Sequence, residues 1–304
     1  MNLPMKEGRP QIQISKNTLV GLAFVGPSAL CILFFMLIPA VMSFHYCLTD
    51  WNGVSSSYNY IGLENFRRVI SAPGFDRLIY NTIFLLILYV PVLNILCILL
   101  SVALYDIGRL ASFYKVTVYL PSLMSMVVVG LIWRTIYNPV IGPLARLFEW
   151  IGFPDLMPDL LGSRGTVMYA LSISIIWYAI GFYSLVYLGG LSNIPNELYE
   201  AADIDGAGRL HRLFSITLPL LMPSITINVV VSIIGILLEF QLPLVLTGGG
   251  PGYSSQTMAL RAYIYATREQ RPGMSMALSV LLTIVAVTVS VIMTNILRKK
   301  EVEN

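Results

Sequence analysis

Charged residues are scarce in this sequence, and so are cysteine and histidine. Asp, Glu, Lys and Arg make up 12% of the 304 residues, whereas an average soluble domain carries about 25%. The chain is 56% hydrophobic and has a mean hydropathy of +0.75, so it cannot cover a water-exposed surface. The composition predicts an integral membrane protein and excludes a cytosolic enzyme, a nucleic-acid-binding protein and a secreted disulfide scaffold.

The few cysteines and histidines fit neither a disulfide framework nor a metal site. Cys31, Cys47 and Cys97 lie in or beside apolar runs and show no CxxC spacing, so we expect buried cysteines in the membrane region. His45 and His211 have no ligand partner at helical spacing. We therefore predict that the chain holds no metal.

Motifs for hydrolysis and for nucleotide binding are also missing. The sequence contains no G-x-S-x-G and no H-E-x-x-H, and no G-x-x-x-x-G-K-[ST] with which to cradle ATP phosphates. We predict that the chain is not an enzyme and has no cofactor of its own. If ATP drives its activity, another subunit must bind the nucleotide.

The sequence does contain long charge-free runs. A helix needs about 20 apolar residues to cross the hydrocarbon core, and six segments meet this requirement: 19–46, 80–104, 115–136, 166–189, 223–246 and 275–297. Six spans place both termini on one side, and the basic residues at Lys16, Lys115 and 298–300 favour the cytoplasm for that side. We assign residues 1–17 to a cytoplasmic tail, residues 18–304 to one membrane domain, and loops 47–79 and 137–165 to short structured caps outside.

Polar side chains share one face of the fifth span. Asn228, Ser232, Gly235 and Glu239 are spaced four, three and four, which places them on one side of a helix. Glu239 is the clearest carboxylate inside a span, and such a charge usually faces a cavity or a partner. The face is either a stripe for helix packing or the wall of a hydrated path, and both readings are open.

Aromatic side chains are concentrated in the fourth span. Trp177, Tyr178, Phe182 and Tyr183 lie away from its ends, where interfacial anchoring does not explain them. An aromatic wall at this depth suits stacking on a sugar ring. Packing in the helical core is the alternative for each residue.

The connection at 190–222 is longer and more polar than a turn requires. Pro195 suits the first turn of a helix, and acidic residues occupy the early turns that follow. Gly206 interrupts the helix, and a second amphipathic segment runs over 209–218. The loop is predicted to be a helix–turn–helix lying on the cytoplasmic face.

This loop resembles the signature of the permease subunits of binding-protein-dependent ABC importers, EAA-x3-G-x9-I-x-LP. Its fixed positions are all present here, as Glu200, Ala201, Ala202, Gly206, Ile216, Leu218 and Pro219. Three further segments resemble the maltose-permease-F-like and glycerol-phosphate-permease-A-like branch of carbohydrate uptake: 62–66 (GLENF), 247–251 (TGGGP) and 263–265 (YIY). The resemblance covers nearly the whole chain.

The resemblance implies an all-α integral membrane protein with the six transmembrane helices of the type I ABC importer permease fold. It also implies a cytoplasmic coupling helix at about 195–204. It implies a multi-pass protein of the prokaryotic inner or plasma membrane, with both termini cytoplasmic. The implied partners are a second homologous permease, two copies of an ATPase subunit holding ATP and Mg, an extracytoplasmic solute-binding protein, a sugar substrate and the lipid bilayer. No nucleic acid is implied.

The resemblance also implies roles for particular residues. The coupling helix would dock into a cleft of the ATPase, and the residues assigned to coupling are Glu200, Ala201, Ala202, Asp203, Gly206, Ile216, Leu218 and Pro219. The family's sugar contacts map onto Glu239 and onto Ile175, Ala179 and Phe182, a face that departs from the maltose pattern. Together with the span patterns, this assigns the substrate pathway to Glu239, Phe182, Trp177, Tyr178, Asn228 and Ser232.

Other functions stay open on the sequence alone. An ABC importer permease could carry a non-sugar solute such as a polyol phosphate, although few cations lie near the spans, Arg134 being the nearest to a span end. A stand-alone secondary transporter would need an ion-coupling site near the midplane, for which Glu239 alone is thin support. An intramembrane enzyme would need a nucleophile–base pair, and none is visible.

Overall fold

The computed structural model describes residues 16–106 and 111–301, and helices dominate these two segments. The only pairing of extended backbone within them is an isolated bridge between Thr49 and Tyr60. Most of the predicted tail at 1–17 lies outside the described residues. In chain order the helices are α1 (Lys16–Ile32), α2 (Ile38–Tyr46), α3 (Glu64–Ile70), α4 (Phe75–Asp106), α5 (Ala111–Tyr119), α6 (Met126–Ile136), α7 (Pro143–Trp150), α8 (Val167–Ser192), α9 (Asn196–Ile204), α10 (Arg209–Arg212), α11 (Leu218–Leu220), α12 (Met222–Leu238), α13 (Gln241–Thr247), α14 (Met258–Thr267) and α15 (Pro272–Arg298).

Four of the predicted spans are straight or gently irregular helices that are long and apolar enough to cross a membrane. They comprise α1 with α2, joined by a π-helical turn at Leu33–Leu37, and the long helices α4, α8 and α15. α4 and α8 pack along one another and, with α12, enclose the main apolar core. α4 begins at Phe75, five residues before the predicted second span, and contains the whole of that span.

The first span stands apart from this core. None of the side chains described between Ala23 and Tyr46 is buried, so lipid or another chain must cover them. Cys47 and Cys97 are buried within the chain, whereas Cys31 is exposed on α1, as a membrane-facing cysteine would be.

The third span is not the continuous helix predicted at 115–136. The helical segments Phe113–Leu123 and Met126–Ile136 meet at 97°. Pro121 lies in a short 3-10 turn before the corner, where a proline cannot continue the α-helical hydrogen bonding. Ser125 then begins α6 by accepting a hydrogen bond from the backbone N–H of Val127 at 3.3 Å.

The fifth span is likewise bent, and it ends earlier than predicted. The segment Arg209–Leu220 meets α12 at 70°, and α12 stops at Leu238 instead of continuing to 246. With each bent pair taken as one span, the described residues contain six. The all-helical six-span architecture predicted from the sequence is therefore correct, with two of its spans broken.

The loop after the first span is held in place by a residue of the GLENF segment. The side-chain amide of Asn65 donates hydrogen bonds to the carbonyl oxygens of Cys47 (2.9 Å) and Thr49 (2.8 Å). Gly273, at the start of α15, lies directly against this amide, and a Cβ there would come within 2.7 Å of it. Asn65 therefore anchors the end of the first span by hydrogen bonds and packs against the start of the last one.

Candidate functional site

A cavity of about 240 Å³ lies between α8 and the end of α12. One face of α8 forms much of its wall, because residues 175, 178, 179 and 182 share a side of the helix. The last turn of α12 forms the opposite wall, and the corner between α5 and α6 contributes two further residues. The lining residues are Tyr89, Ser122, Met126, Ile175, Tyr178, Ala179, Phe182, Tyr183, Gly235, Ile236 and Glu239.

Glu239 lies where the backbone leaves the helix, and Pro243 explains why it does so. A proline lacks the N–H that would bond to the carbonyl four residues earlier, and its ring clashes with that carbonyl. The carbonyl in question is that of Glu239, which instead accepts a hydrogen bond from the hydroxyl of Thr257 at 3.3 Å. The prediction that Glu239 lies inside a continuous span is therefore wrong, since it occupies a break in the helix beside the cavity.

Phe182 and Tyr178, both predicted to belong to the substrate pathway, line the cavity. The Phe182 side chain is 48% exposed, so its ring is available to a ligand. Ser122 fixes this part of α8 from the α5–α6 corner, because its hydroxyl donates to the carbonyl of Tyr178 (2.5 Å) and accepts from the N–H of Phe182 (3.3 Å). Gly181 allows the close approach, since a Cβ there would lie 2.3 Å from the carbonyl oxygen of Val118.

The structure does not bring Asn228 and Ser232 to the cavity. Asn228 is buried and donates to the carbonyl of Tyr183 at 3.0 Å. Ser232 is also buried, and its hydroxyl accepts a hydrogen bond from the amide of Asn94 at 3.2 Å. The polar residues of the fifth span therefore have two different environments. Asn228 and Ser232 make packing contacts with neighbouring helices, whereas Gly235 and Glu239 line the cavity.

Trp177 lies on the other side of α8, away from the cavity. Its indole ring makes an edge contact with Trp133 of α6, at 5.6 Å between ring centroids. Ile175 and Ala179, which only the family resemblance indicated, do line the cavity.

Several lining residues were not predicted from the sequence. Tyr89 comes from span two, where α4 packs against α8. Ser122 and Met126 come from span three, and they meet α8 because of the corner between α5 and α6. Pro121 was the available signal for that corner. Nothing local in the sequence indicates that Tyr89 faces the same cavity.

The loop after α8 forms a helix–turn–helix, as predicted. α9 ends in a Schellman motif, in which the N–H of Ala207 bonds to the carbonyl of Ala202 (2.8 Å) and that of Gly206 to Asp203 (3.1 Å). Gly206 has a φ of +72°, a conformation that glycine adopts readily and other residues avoid. This geometry explains the fixed spacing of the alanines and the glycine in the motif.

Two side-chain contacts connect α9 to the segment that follows it. The guanidinium group of Arg212 pairs with the carboxylate of Asp203 at 2.5 Å, and the hydroxyls of Tyr199 and Thr217 lie 3.1 Å apart. Ala202 is buried, whereas Glu200 and Ala201 are exposed. The second half of the motif is half-buried at Ile216, Leu218 and Pro219, where it begins the bent span.

Comparisons with known proteins agree with one another over most of the chain. NgcF, a diacetylchitobiose uptake system permease protein of Streptomyces coelicolor, is 31% identical over 87% of this chain and 78% of its own length. MsmF, a multiple sugar-binding transport system permease protein of Streptococcus mutans, is 28% identical over 91% of this chain and 94% of its own. A chain of a bacterial ABC transporter that imports the acidic polysaccharide alginate has the same fold, with a TM-score of 0.81 and 24% identity over 93% of this chain and 96% of that one.

A family model covers the greater part of the sequence as well. Residues 70–302 match the model for the binding-protein-dependent transport system inner membrane component. This match includes the cavity, the helix–turn–helix and five of the six spans. The chain therefore belongs to the family of inner membrane components of binding-protein-dependent transport systems, as a multi-pass membrane permease.

Proposed function

We propose that this chain is the transmembrane subunit of an ATP-driven importer and forms half of the translocation pathway for a sugar or oligosaccharide. The observation that carries the proposal is the cavity, which is lined both by Glu239 and by the half-exposed Phe182. Ligand sites typically combine apolar and aromatic walls with a few placed polar groups. A sugar presents both an apolar ring face and hydroxyl donors, so it suits this pair.

The carboxylate of Glu239 would accept hydrogen bonds from the sugar. Its Oε1 atom already accepts one from the N–H of Leu242 at 2.8 Å, which fixes its orientation. A carboxylate has about four lone-pair positions, so further hydroxyl donors can be accommodated. Phe182 would stack on the ring, and Tyr178 would close the wall beside it.

The solute class follows from the charges around the cavity. Among its lining residues, all of which belong to the described part of the chain, there is no Lys or Arg. A phosphorylated solute would place its charge against Glu239 without compensation, so we propose a solute that is not phosphorylated. NgcF belongs to a diacetylchitobiose uptake system and MsmF to a multiple sugar-binding transport system, which supports a sugar as the solute.

The partners we propose follow from the surfaces that this chain leaves uncovered. The coupling loop exposes the apolar side chains of Leu198, Ile204, Leu210 and Phe214, and we propose that α9 docks there into an ATPase subunit. Two copies of that subunit would hold ATP and Mg.

The remaining partners complete the importer. A second permease would complete the pathway and share the lipid bilayer around the exposed first span. A solute-binding protein would deliver the sugar from outside. Both termini would be cytoplasmic, on the side of the coupling loop.

A continuous connection runs from the coupling loop to the cavity. The contacts of Asp203 and Tyr199 link α9 to the segment 209–220, which joins α12 across the 70° bend. α12 has 17 residues, about 26 Å at 1.5 Å per residue, and it ends at Glu239. Closure of the ATPase would move this unit as a rigid body and change access to the cavity.

ATP-dependent uptake into proteoliposomes tests the proposal. The chain is reconstituted with its second permease, ATPase and binding protein, and uptake of labelled mono- and oligosaccharides is compared with that of a polyol phosphate. We expect sugar uptake that needs both ATP and the binding protein. Uptake by this chain alone, driven by an ion gradient, or uptake restricted to the polyol phosphate would contradict it.

A further inference from the structure

We propose a binding site for an anionic phospholipid on the face of the protein opposite the coupling loop, where a basic cavity continues into an apolar groove between α4 and α8. The cavity has a volume of about 460 Å³ and the groove one of about 360 Å³. Tyr80 lines both, so the two adjoin at this side chain. Neither belongs to the cavity at Glu239.

The basic part contains two arginines without acidic partners. Arg77 lies in the first turn of α4, and Arg164 lies in the loop before α8, beside Gly252. Within the described ranges, no carboxylate oxygen lies within 4 Å of either guanidinium group, whereas Arg68, Arg212, Arg261 and Arg271 all form ion pairs. Guanidinium groups bind phosphate in a bidentate geometry, so the pair suits a phosphodiester.

Asn81 shapes the wall of the basic cavity without occupying it. Its amide donates to the carbonyl oxygens of Tyr253 (2.8 Å) and Gln256 (3.0 Å), which holds the glycine-rich loop against α4. The amide is thereby saturated as a donor. The arginines are left as the cationic groups of the cavity.

The groove below is apolar, aromatic and open to the membrane. Ile83, Phe84, Ile87 and Leu88 of α4 line it, and Tyr169 of α8 closes it. Phe84 packs edge-on against Tyr169 at 5.2 Å and lies beside the Tyr80 ring at 6.1 Å. Ile83 and Ile87 are about half to two-thirds exposed, at 48% and 67%.

The dimensions suit an acyl chain attached to the headgroup above it. Arg77, Tyr80, Phe84 and Leu88 follow one face of α4. From Tyr80 to Leu88 the helix rises about 12 Å, close to the roughly 15 Å depth of one leaflet of the hydrocarbon core.

A protein partner fits the groove less well than a lipid does. An acidic segment of a soluble partner could reach the arginines, but it would not fill an apolar groove at the depth of the membrane. The groove therefore favours a lipid.

Native mass spectrometry of the assembled complex tests this site. The complex is delipidated and offered palmitoyl-oleoyl-phosphatidylglycerol or the phosphatidylcholine with the same chains. We expect wild type to retain the anionic lipid at least about tenfold better, and R77Q/R164Q to lose that preference. Arg146→Gln, at another exposed arginine of the outer loops, should behave as wild type.

Ile87→Trp separates a lipid from a free anion or a protein partner. The indole fills the groove and leaves both arginines in place, so it should lower retention of the lipid severalfold, whereas binding of inorganic phosphate alone would be unaffected. Equal retention of both lipids by wild type, full retention by R77Q/R164Q, or normal retention by Ile87→Trp would overturn the proposal. The proposal would also be overturned if R77Q/R164Q lost affinity for the solute-binding protein and kept its affinity for the anionic lipid. If the double variant does not assemble, Arg164→Gln in its loop carries the same test.

Discussion

The Oε1 atom of Glu239 accepts a hydrogen bond of 2.8 Å from the backbone N–H of Leu242. The carboxylate on the cavity wall therefore also satisfies a free donor at the start of α13. This link places a charged group at a break in the helix and holds it towards the cavity. Substitutions at Glu239 act on both functions, and the two can be separated.

Replacing Glu239 by alanine should abolish the sugar contact while the complex still assembles. Losing a hydrogen bond to a charged group costs about 1.5–3 kcal/mol, so we expect ATP-dependent uptake to fall at least about tenfold. Glu239→Gln should retain more uptake, because the amide oxygen can still accept hydrogen bonds from Leu242 and from a hydroxyl. Uptake into proteoliposomes and the yield of intact complex are measured for both variants.

If Glu239 has only a structural role, the expected results are reversed. If its bond to Leu242 serves only to stabilise α13, Glu239→Ala should reduce the yield of complex and leave uptake per complex unchanged. That result, or wild-type behaviour in both measurements, would remove Glu239 from the substrate pathway.

Phe182 should contribute through its aromatic ring. Its side chain is about half exposed at the cavity, so Phe182→Ala removes a stacking surface without leaving a hole in the core. We expect the sugar concentration for half-maximal uptake to rise severalfold in Phe182→Ala and to change little in Phe182→Tyr, because tyrosine keeps the aromatic face. Stacking of a nucleobase on one aromatic side chain, the nearest measured case, is worth about 1–3 kcal/mol.

A matched control for Phe182 is available on α5. Phe113 is 70% exposed and does not line the cavity, so Phe113→Ala should leave the half-maximal concentration unchanged. If both alanine variants behave alike, the effect is one of general hydrophobic surface, and Phe182 has no specific contact with sugar.

The sequence was sufficient to predict the six apolar spans and the turn at Gly206, because hydropathy and glycine conformation are local properties. It could not show that Pro243 ends α12 at Glu239, since the same apolar run continues to residue 246. The corner at Ser125 was missed for the same reason. Breaks of this kind are tolerated in membranes where neighbouring groups satisfy the freed backbone, as the hydroxyl of Thr257 does for the carbonyl of Glu239.

The division of the polar stripe could not be predicted either. The spacing of Asn228 and Glu239 predicts one face of a single helix, and periodicity alone therefore assigns both residues to one environment. Their surroundings differ because Tyr183 of α8 packs over Asn228, whereas the cavity opens beside Glu239. Such contacts form between segments that are far apart in the sequence, so the periodicity of one segment does not predict them.

Tyr187 should be important for stability and not for transport. Its hydroxyl donates to Asn94 at 2.6 Å, and both side chains are buried. Tyr187→Phe leaves the oxygen of Asn94 without this donor, at a cost of about 1–3 kcal/mol, so the melting temperature of the purified complex should fall. The control is Tyr169→Phe on the same helix, whose exposed hydroxyl makes no hydrogen bond among the described residues. Equal melting temperatures for the two variants would show that the Asn94 contact adds nothing.

The coupling loop offers the sharpest comparison, because two glycines two residues apart differ in the sign of φ: Gly206 follows the end of α9, and Gly208 is the N-cap of α10. Gly206 has a φ of +72° and Gly208 one of −68°, and a Cβ at either position would meet nothing within 4 Å. Valine at 206 is therefore strained by about 1–3 kcal/mol for conformational reasons alone, whereas valine at 208 lies in extended backbone that suits it.

We accordingly expect Gly206→Val to disturb the end of α9 and to weaken docking of the ATPase. The six spans should still insert, and uptake should be lost. Gly208→Val should keep both docking and uptake near wild type. Co-purification of the ATPase with this chain, together with ATP-dependent uptake at matched expression, distinguishes the two variants. Normal uptake by Gly206→Val would show that the Schellman end of α9 has no part in coupling, and equal loss in both variants would indicate that side-chain bulk, and not backbone conformation, disrupts the contact.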